Sequence, residues 1–465
     1  MRLGFTSLLV CLAPLAALRA ETEKFETADI QSRIDAAAAT GGGTVTVAKG
    51  DHYVGSLELK SGVTLELAEG CRLVASTNWQ DYALMPNDRH QRAVVRAHAA
   101  TNVALVGKGE IDGRGWAVLT KDGAPRRWKD CTFFRCRNVR VEGVTLRDAA
   151  TWTCYFKECE QVVARRVTIR SNVNHNNDGI DIEARDVLVE DCDIVCGDDA
   201  ICFKSDNPDF TVERCRVRNC RLSSNCNFIK CGTSSRGVYR DILVEDCHVE
   251  CVKGTPCLQW RKNNLPGVTT SECGISAIAL EVVDGGRMEN VTVRNITIGK
   301  GVQTPAFVRQ GARRAVSPGR ESALRNVLVE NVRMSDPAAS RIACSITGVP
   351  GLRPRDIVLR NIDLVFPGGG TASDTLRKIG EFPKRYPENR MFGRDVALPA
   401  YGFYVRHADG VRFENVKLAY AGATEERPAI VAEDASVSCK GCDFKAPSNG
   451  GPTTRGFSNE QEDMR

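Results

Sequence analysis

Residues 186–194 read DVLVEDCDI, and this pattern decides the fold. A turn-forming residue leads into apolar residues at alternating positions, and β-branched side chains dominate, which is typical of strands rather than helices. Similar phrases recur as NVRVEGVTL at 138–146, QVVARRVTI at 161–169, FTVERCRV at 210–217, DILVEDCHV at 241–249, NVTVRNITI at 290–298, NVLVENVRM at 326–334, DIVLRNIDL at 356–364 and GVRFENVKL at 410–418. The chain is therefore a repeat protein.

The spacing of the phrases predicts the kind of repeat. The central residues Val139, Val162, Val187, Val212 and Ile242 are separated by 23, 25, 25 and 30 residues. A unit of this length with two or three short strands predicts an all-β parallel β-helix, in which each coil adds a rung of about 4.8 Å. The Asn and Asp residues should lie at bends, where unusual backbone dihedral angles are tolerated. Two longer gaps, from Ile242 to Val291 and from Ile357 to Val411, indicate inserted loops or undetected coils.

The two ends of the chain lack this pattern. Residues 1–20 have an early arginine, a short apolar stretch and small residues before Glu21, which is typical of a secretory signal. A helix of about ten residues before Gly41 should cap the open end of the first coil. Residues 448–465 have no periodicity and are predicted to be a flexible tail. The predicted β-helix domain therefore spans residues 21–447, and the mature protein should be secreted or periplasmic.

Charge and cysteine content exclude some functions. The chain carries a formal charge of +5, which falls to 63 − 2 − 58 = +3 without the signal, so nothing favours nucleic-acid binding. No later segment resembles a membrane span, and we expect a monomer.

Of the 20 cysteines, 19 lie beyond the signal. Cys192, Cys215 and Cys247 occupy one slot of the phrase and are predicted to face inward; Cys439 and Cys442 should form a local disulfide or stay free.

Three aspartates are predicted to form the functional site. Asp178 lies in NNDGID at 176–181, and Asp198 and Asp199 lie in GDDAICFK at 197–204, which is 20 and 21 residues later. Because one coil takes about 25 residues, the three carboxylates should lie on adjacent rungs, where Gly197 permits a bend that exposes both members of the pair. Crowded acids raise one another's pKa, so one can hold a proton while another stays ionised, as in a glycosidase. Turn residues or a calcium site are the alternatives.

The two acidic motifs resemble those of glycoside hydrolase family 28, the polygalacturonases and their relatives. GKGEIDGRGW at 107–116 and LPAYGFYVRHADGVRFENV at 398–416 are similar to the same family. The resemblance implies a right-handed parallel β-helix that hydrolyses a pectic, uronate-containing polysaccharide or oligosaccharide with inversion. It also implies that Asp198 is the general acid, that Asp178 and Asp199 activate the water, and that neither a metal nor another cofactor is needed.

Two motifs of the family are missing. The Gly-His-Gly motif should fall near residues 224–235, where Asn227 stands at the histidine position. The Arg-Ile-Lys motif, whose cations hold the substrate carboxylate, should fall near residues 277–286, where Ala279 and Glu281 appear. We therefore expect weak activity on homogalacturonan and a substrate with fewer carboxylates, such as a rhamnogalacturonan fragment.

Several other residues are candidates for substrate binding. Lys204 and Lys230, 26 residues apart, are predicted to stack beside Glu183 and to bind a uronate carboxylate, although such a column is also an ordinary charge balance. The remaining candidates are Asn176 and Asn227 beside the acids, Arg309 on a later coil, and the aromatic residues Trp152 and Tyr155. A solvated side chain is the alternative for Arg309, and core or edge packing is the alternative for the two aromatic residues. His175 is predicted to be a loop residue.

Two other functions fit the same fold. A polysaccharide lyase would use the acids to bind calcium and an Arg or Lys to remove the proton next to the uronate carboxyl group. A catalytically silent carbohydrate-binding protein would keep the helix and lose the chemistry. The presence of all three aspartates argues against the second alternative, because binding alone does not require three crowded acids.

Overall fold

The computed structural model describes residues 25–86, 92–118, 126–251, 257–260, 266–269, 274–334, 336–393 and 396–457. The chain winds into a right-handed parallel β-helix, as predicted. In chain order, the strands are β1 (Gly43–Val47), β2 (Gly50–Val54), β3 (Leu57–Leu59), β4 (Val63–Leu67), β5 (Cys71–Ala75), β6 (Ala93–His98), β7 (Thr101–Gly107), β8 (Glu110–Asp112), β9 (Lys129–Phe134), β10 (Arg137–Glu142), β11 (Thr145–Arg147), β12 (Cys154–Arg165), β13 (Thr168–Ser171), β14 (Ile180–Glu190), β15 (Asp193–Cys196), β16 (Ile201–Ser205), β17 (Thr211–Arg218), β18 (Arg221–Ser224), β19 (Ile229–Ser235), β20 (Val238–Glu250), β21 (Cys257–Trp260), β22 (Pro266–Thr269), β23 (Gly274–Val282), β24 (Arg287–Ile298), β25 (Val302–Gln310), β26 (Ala323–Met334), β27 (Cys344–Thr347), β28 (Arg355–Phe366), β29 (Phe403–Tyr420), β30 (Ile430–Lys440), β31 (Asp443–Phe444) and β32 (Thr454–Arg455).

Thirty of these strands form one continuous parallel network that folds into three faces. Face A begins with the pairs β1–β4–β7–β10 and face B with β2–β5–β8–β11. Face C begins with β3–β6–β9–β12 and continues through β14, β16, β19, β23, β25 and β27. Longer strands such as β12, β14 and β29 turn a corner and belong to more than one face. Strands β21 and β22 form a separate antiparallel pair.

The predicted valine stack is correct except at one position. Val139, Val162 and Val187 are paired in adjacent coils. The next member is Cys215, which pairs with both Val187 and Ile242, whereas Val212 pairs with Tyr239. The prediction placed Val212 opposite Val187, but the residue at that position of the next coil is Cys215, three residues later.

The register of this coil also corrects the predicted cysteine ladder, by five residues. The thiol of Cys220, not Cys215, lies between those of Cys192 and Cys247. Cys247 is followed by Ile296 in the next coil, so the slot does hold small apolar side chains facing inward. The cysteines from Cys71 to Cys251 and Cys344 are free thiols, as is the hydrogen-bonded pair Cys439 and Cys442.

The Asn and Asp residues at the start of each phrase lie at bends, as predicted. Asn138, Asp186, Asn290 and Asn326 have φ values of 55°, 57°, 58° and 55°. Such left-handed positions favour short polar side chains that can hydrogen-bond locally. Amides at the neighbouring corner also bond from coil to coil, and Asn331 Nδ2 donates to Asn295 Oδ1 at 2.9 Å.

The predicted ends are partly confirmed. Helix α1 (Thr27–Ala39) covers the first coil and is followed by Gly41, Gly42 and Gly43, all with positive φ. Strand β32 pairs with β30, so the segment predicted to be a flexible tail from residue 448 includes an ordered rung. The predicted signal lies outside the described residues, as do residues 458–465. No helix among the described residues is long and apolar enough to span a membrane.

The connections from face B to face C differ greatly in length. They include residues 76–92, 113–128, 172–179, 197–200, 225–228, 251–273 and 367–402. Ile242 pairs with Val291 across one of the longest, which confirms that the gap predicted there is an insertion. The longest connection, hereafter the 367–402 insertion, contains the short helix α2 (Ala372–Thr375). Short 3-10 helices at Trp79–Asp81, Gly115–Val118 and Asn389–Phe392 lie in the same set of connections.

Candidate active site

The two acidic motifs lie on consecutive face B to face C connections. The N–H of Gly179 donates to the carbonyl oxygen of Asp199, and the N–H of Ala200 donates to that of Asn227, both at 2.9 Å. Asp178, Asp199 and Asn227 therefore stack on three adjacent rungs. Asp178 and Asp199 are only 2% and 4% exposed, whereas Asp198 is partly exposed. The structure thus gathers the three predicted aspartates, on tight connections rather than in a bulged strand.

Asp178 is paired with a lysine. Lys204 Nζ lies 3.2 Å from Asp178 Oδ2 and 3.0 Å from Asp181 Oδ1. Burial raises the pKa of Asp178, Lys204 opposes the rise, and the charge of Asp199 adds to it. Burial and the charge of Asp178 raise the pKa of Asp181 well above its usual range. One ammonium group therefore serves two crowded carboxyl groups.

Asp199 has the stronger set of partners. Lys230 Nζ lies 3.0 Å from Asp199 Oδ2, and Asn227 Nδ2 donates to Asp199 Oδ1 at 2.7 Å. Burial penalises the charged form of Asp199, but the ammonium groups of Lys230 and Lys204 and the Asn227 hydrogen bond overcome it. The pKa of Asp199 therefore lies below its ordinary value, and this residue is a carboxylate at neutral pH.

Asp198 forms no ion pair with a lysine or arginine among the described residues. Its Oδ1 accepts the N–H of Asp199 at 3.0 Å, and its Oδ2 lies 3.5 Å from Asn176 Nδ2. Burial, followed by the charges of Asp178 and Asp199, raises the pKa of Asp198 well above its usual range. Of the three aspartates, Asp198 is thus the one whose environment most favours the protonated form.

Asn176 is held in place by a buried arginine that the sequence did not single out. Arg127 donates to Asn176 Oδ1 at 3.0 Å and to the carbonyl oxygen of His175 at 2.6 Å. Because the amide oxygen faces the guanidinium, the amide N–H group faces Asp198. His175, predicted to be a loop residue, is buried in this connection.

Trp152 and Tyr155 occupy different environments. The Trp152 ring is partly exposed, and Lys204 Nζ and Lys129 Nζ lie 4.4 and 4.9 Å from its centroid. Tyr155 is fully buried and donates from its hydroxyl to Glu183 Oε2 at 3.1 Å. Only Trp152 therefore has a ring edge or face that a sugar can reach.

The predicted Glu183–Lys204–Lys230 column does not form. Lys230 pairs in register with Cys202, and Cys202 pairs with Asp181. Glu183 pairs with Lys157 on the preceding coil. Cys202 and Lys230 are 28 residues apart, so the spacing of 26 between Lys204 and Lys230 does not place these two lysines opposite each other.

Arg309 is neither solvated nor free to contact a ligand. Its side chain is 2% exposed and donates to the carbonyl oxygens of Gly348 and Glu381, at 2.9 and 2.8 Å. Burial lowers its pKa to about 10. The arginine anchors the 367–402 insertion to face C, which the sequence alone did not indicate.

The insertion covers the position where the family motif has an arginine. Ala279 pairs with Lys230 on one side and Phe307 on the other, and all three are buried. A second hydrophobic cluster joins Ala279 and Phe307 to Tyr404 and, from the insertion, to Phe392 and Leu398. The outer surface of face C beyond Lys230 is therefore packed against protein.

Tyr386, in the insertion, was missed by the sequence reasoning. Its ring is 51% exposed, with Lys230 Nζ 5.7 Å and Arg313 Cζ 5.8 Å from its centroid. It lies in a segment with no periodicity, so no sequence signal placed it near the aspartates. Tyr386 forms an aromatic rim beside the Asp199–Lys230 pair.

Two groups of side chains bring possible metal ligands within 4.8 Å of one another. They are Asp178 with Asp199 and Cys202, and Asp198 with Asp199 and Cys226. Calcium prefers six to eight oxygen ligands, whereas each group includes a thiol. A cation would also have to compete with the lysine ammonium groups that contact Asp178 and Asp199. The donor set therefore suits calcium poorly.

Comparisons with known proteins agree with the acidic motifs. The sequence model of glycosyl hydrolases family 28 matches residues 39–250. An exo-poly-alpha-D-galacturonosidase of Dickeya chrysanthemi is 24% identical over 388 residues, covering 69% of this chain and 61% of the relative. The polygalacturonase QRT2 of Arabidopsis thaliana is 26% identical over 314 residues, covering 63% of each. The chain thus spans less than two thirds of the length of these relatives.

The fold also matches a solved structure. The family 28 exopolygalacturonase of Yersinia enterocolitica superimposes with a TM-score of 0.65 at 17% sequence identity, covering 92% of this chain and 76% of that one. At this identity the likeness concerns the fold alone.

Proposed function

We propose that the chain, whose residues 39–250 match the sequence model of glycosyl hydrolases family 28, is a member of that family and hydrolyses a glycosidic bond in a pectic, uronate-containing polysaccharide or oligosaccharide. The observation that carries the proposal is the unequal pairing of the three aspartates. Asp178 and Asp199 each contact a lysine ammonium group, and in the described part of the chain Asp198 does not. A carboxyl group that favours its proton beside one that favours the ionised form is what acid and base catalysis requires.

The proposed reaction uses these residues in one displacement. Asp198 donates its proton to the glycosidic oxygen as the bond from that oxygen to the anomeric carbon breaks. Asp199, together with Asp178, accepts a proton from the water that attacks the anomeric carbon from the opposite side. The products are a new reducing end and the sugar whose hydroxyl group contains the former glycosidic oxygen, and inversion at the anomeric carbon follows from the single displacement. Proton NMR of the first product anomer tests the inversion.

An assay with pectic fragments tests the proposal and separates it from lyase activity. The purified protein is incubated with galacturonan and rhamnogalacturonan oligosaccharides, and reducing ends, ultraviolet absorbance and product masses are measured. A hydrolase yields reducing ends and products that gain one water, with no absorbance and no loss of activity in chelator. An unsaturated, absorbing product would establish a lyase instead. No cleavage of any fragment would favour the carbohydrate-binding alternative.

We further propose that homogalacturonan is a poor substrate. Ala279 replaces the cation expected from the family and is covered by the insertion, while Glu281 is buried near Lys230. The neighbouring subsite therefore suits a sugar without a carboxylate, as in a rhamnogalacturonan fragment. Comparison of kcat/KM for the two substrate classes tests this preference.

Action at a chain end is the proposed mode of cleavage. The insertion packs on face C beyond Lys230, so a long polysaccharide would be blocked on that side of Asp199. The name of the Dickeya chrysanthemi relative also specifies exo action. Terminal action releases one small product from the first turnover, whereas internal cleavage produces a ladder of oligomers and a rapid fall in viscosity.

Export and a monomeric state complete the proposal. Residues 1–20 are typical of a secretory signal, so the mature chain should begin at Glu21 and be recovered from the periplasm or the medium. N-terminal sequencing of the exported protein tests the cleavage site. Light scattering of the same material tests the monomer.

A further inference from the structure

Two family motifs are altered in this chain, and the altered residues meet at one place. Asn227 stands at the expected histidine position and donates to Asp199, at 2.7 Å. Glu281 stands at the expected lysine position and lies close enough to Lys230 that its ionised form would raise the pKa of that lysine. Lys230 Nζ itself lies 3.0 Å from Asp199 Oδ2. Both altered residues therefore lie beside the same ion pair, Asp199 with Lys230.

Lys230 is poorly placed to bind a substrate carboxylate. Its side chain is 2% exposed and lies between Asp199 and the Tyr386 ring. A substrate carboxylate would have to displace Asp199 from the ammonium group and leave that aspartate buried without its main counter-charge, which is costly. The favourable partner of Lys230 is already within the protein.

Glu281 favours this arrangement without competing for the ammonium group. Its Oε2 accepts a hydrogen bond from Thr233 Oγ1 at 3.1 Å, and its carboxyl group lies against Gly232, where an added Cβ would be 2.9 Å from Oε2. Burial raises the pKa of Glu281 to about 8. Near neutral pH, Glu281 is mainly uncharged, so Asp199 remains the principal anion beside Lys230.

We infer that Asn227, Lys230 and Glu281 act together around Asp199. In this arrangement Lys230 is a positioning residue that keeps Asp199 ionised as the catalytic base. The inference rests on the proposed hydrolase function for the role of Asp199. It assigns to Lys230 a role that differs from binding the substrate uronate. It also explains why a cation on β19 and an acid on β23 occur together.

The kinetic test compares Lys230→Met with wild type across pH on a uronate-bearing oligosaccharide. Without the ammonium group, Asp199 binds its proton more tightly, so the acidic limb of kcat/KM should move upward by about one pH unit or more. The loss should be roughly tenfold to a hundredfold below the limb and smaller above it, with KM nearly unchanged. A raised KM with an unmoved limb would establish substrate binding instead. Lys445→Met, on the last coil, is the matched control and should behave like wild type.

A stability test does not depend on activity. Lys230→Met leaves Asp199 buried without its cation, whereas the double variant Lys230→Met/Asp199→Asn removes both charges. The double variant should therefore have a higher Tm than Lys230→Met at pH 7. This difference in Tm should disappear near pH 4, where Asp199 in the single variant is protonated. Equal Tm values for the two variants at pH 7 would overturn the inference even if the protein proves to be a hydrolase. If the Tm values differ as expected but the protein cleaves no substrate, the proposed function is wrong and the ion-pair arrangement is still supported.

Discussion

The guanidinium of Arg309 donates to the backbone carbonyl oxygen of Glu381 at 2.8 Å, which fastens the 367–402 insertion to the outer surface of face C. The contact joins β25 to a segment 72 residues further along the chain. Arg406 donates to the carbonyl oxygen of Ile379 at 2.5 Å, and Asn389, a buried residue of the insertion, donates to the carbonyl oxygen of Ile275 at 3.3 Å. The cover over face C is therefore held by charged and polar groups as well as by its hydrophobic cluster.

Arg309→Met should loosen the insertion while leaving the coils intact. The substitution keeps the volume but removes the donors to buried carbonyl oxygens, each of which costs about 1–3 kcal/mol when left without a partner. Limited proteolysis should cut within residues 376–393 faster than in wild type, and oligomeric products should increase if the cover enforces terminal cleavage. Arg333→Met, at an exposed position, is the control. An unchanged cleavage rate would mean that the hydrophobic cluster alone holds the insertion.

Asp198→Asn should abolish turnover in a folded protein. The amide keeps the shape of the side chain and has no proton to transfer, so kcat should fall by roughly a hundredfold or more. Circular dichroism and Tm check that the fold is kept. Asp356→Asn, at an exposed bend with φ of 54°, should keep full activity because Asn tolerates that conformation. Substantial activity of folded Asp198→Asn would remove Asp198 from the acid role.

Ala279→Arg should not restore polygalacturonase activity. The new side chain would enter the buried cluster with Phe307 and Phe392, where an unpaired charge costs on the order of several kcal/mol. We expect a lower Tm and no gain of kcat/KM on homogalacturonan. Ala339→Arg, at an exposed alanine, should leave Tm unchanged. A stable variant with increased homogalacturonan cleavage would show that the insertion can move aside.

Substitution of Asn331 should show how much the amide hydrogen bonds at this corner contribute to the free energy of unfolding. Its φ is 53°, its Nδ2 donates to Asn295 and its Oδ1 accepts from Asn361 at 3.0 Å. Asn331→Ala loses the amide bonds and places a Cβ in a left-handed position, which should lower the free energy of unfolding by about 1–2 kcal/mol. Asn331→Gly loses the amide bonds but accepts the dihedral angle, so its loss should be smaller. Chemical denaturation measures both, and equal losses would assign the whole effect to the hydrogen bonds.

Glu281 should make stability depend on pH. Burial raises its folded-state pKa to about 8, above the ordinary 4.5, so the folded state holds the proton more tightly. Its contribution is full below the ordinary pKa and is lost as the pH rises toward 8, a change on the order of a few kcal/mol. Glu281→Gln should therefore flatten the decline of Tm between pH 5 and 8. A parallel decline in both proteins would place the titrating group elsewhere.

The repeat was predictable because side-chain alternation is a local property of each strand. Val139, Val162 and Val187 could be stacked from spacing alone. Cys215 could not, since connections of different length change the register without altering the apolar pattern. The coil architecture therefore follows from the sequence, whereas the pairing of residues between adjacent coils has to be read from the structure.

The site was predictable only in part for a similar reason. The motifs identified Asp178, Asp198 and Asp199, but the lysine that reaches each carboxylate depends on side-chain direction across rungs. Lys230 extends to Asp199 on the preceding coil, which spacing did not reveal. Tyr386 depends on the path of a long insertion that has no repeating pattern.

The concentration of long connections at the corner between faces B and C bears on how such a chain diversifies. Faces A and B meet at short bends, so an added residue there would disturb every rung that follows. The B to C corner already accommodates segments as different as residues 197–200 and 367–402 without interrupting the rungs on either side. Connections at this one edge of the molecule can thus be lengthened or replaced while the stacked coils stay the same. A change of substrate therefore does not require a change of fold.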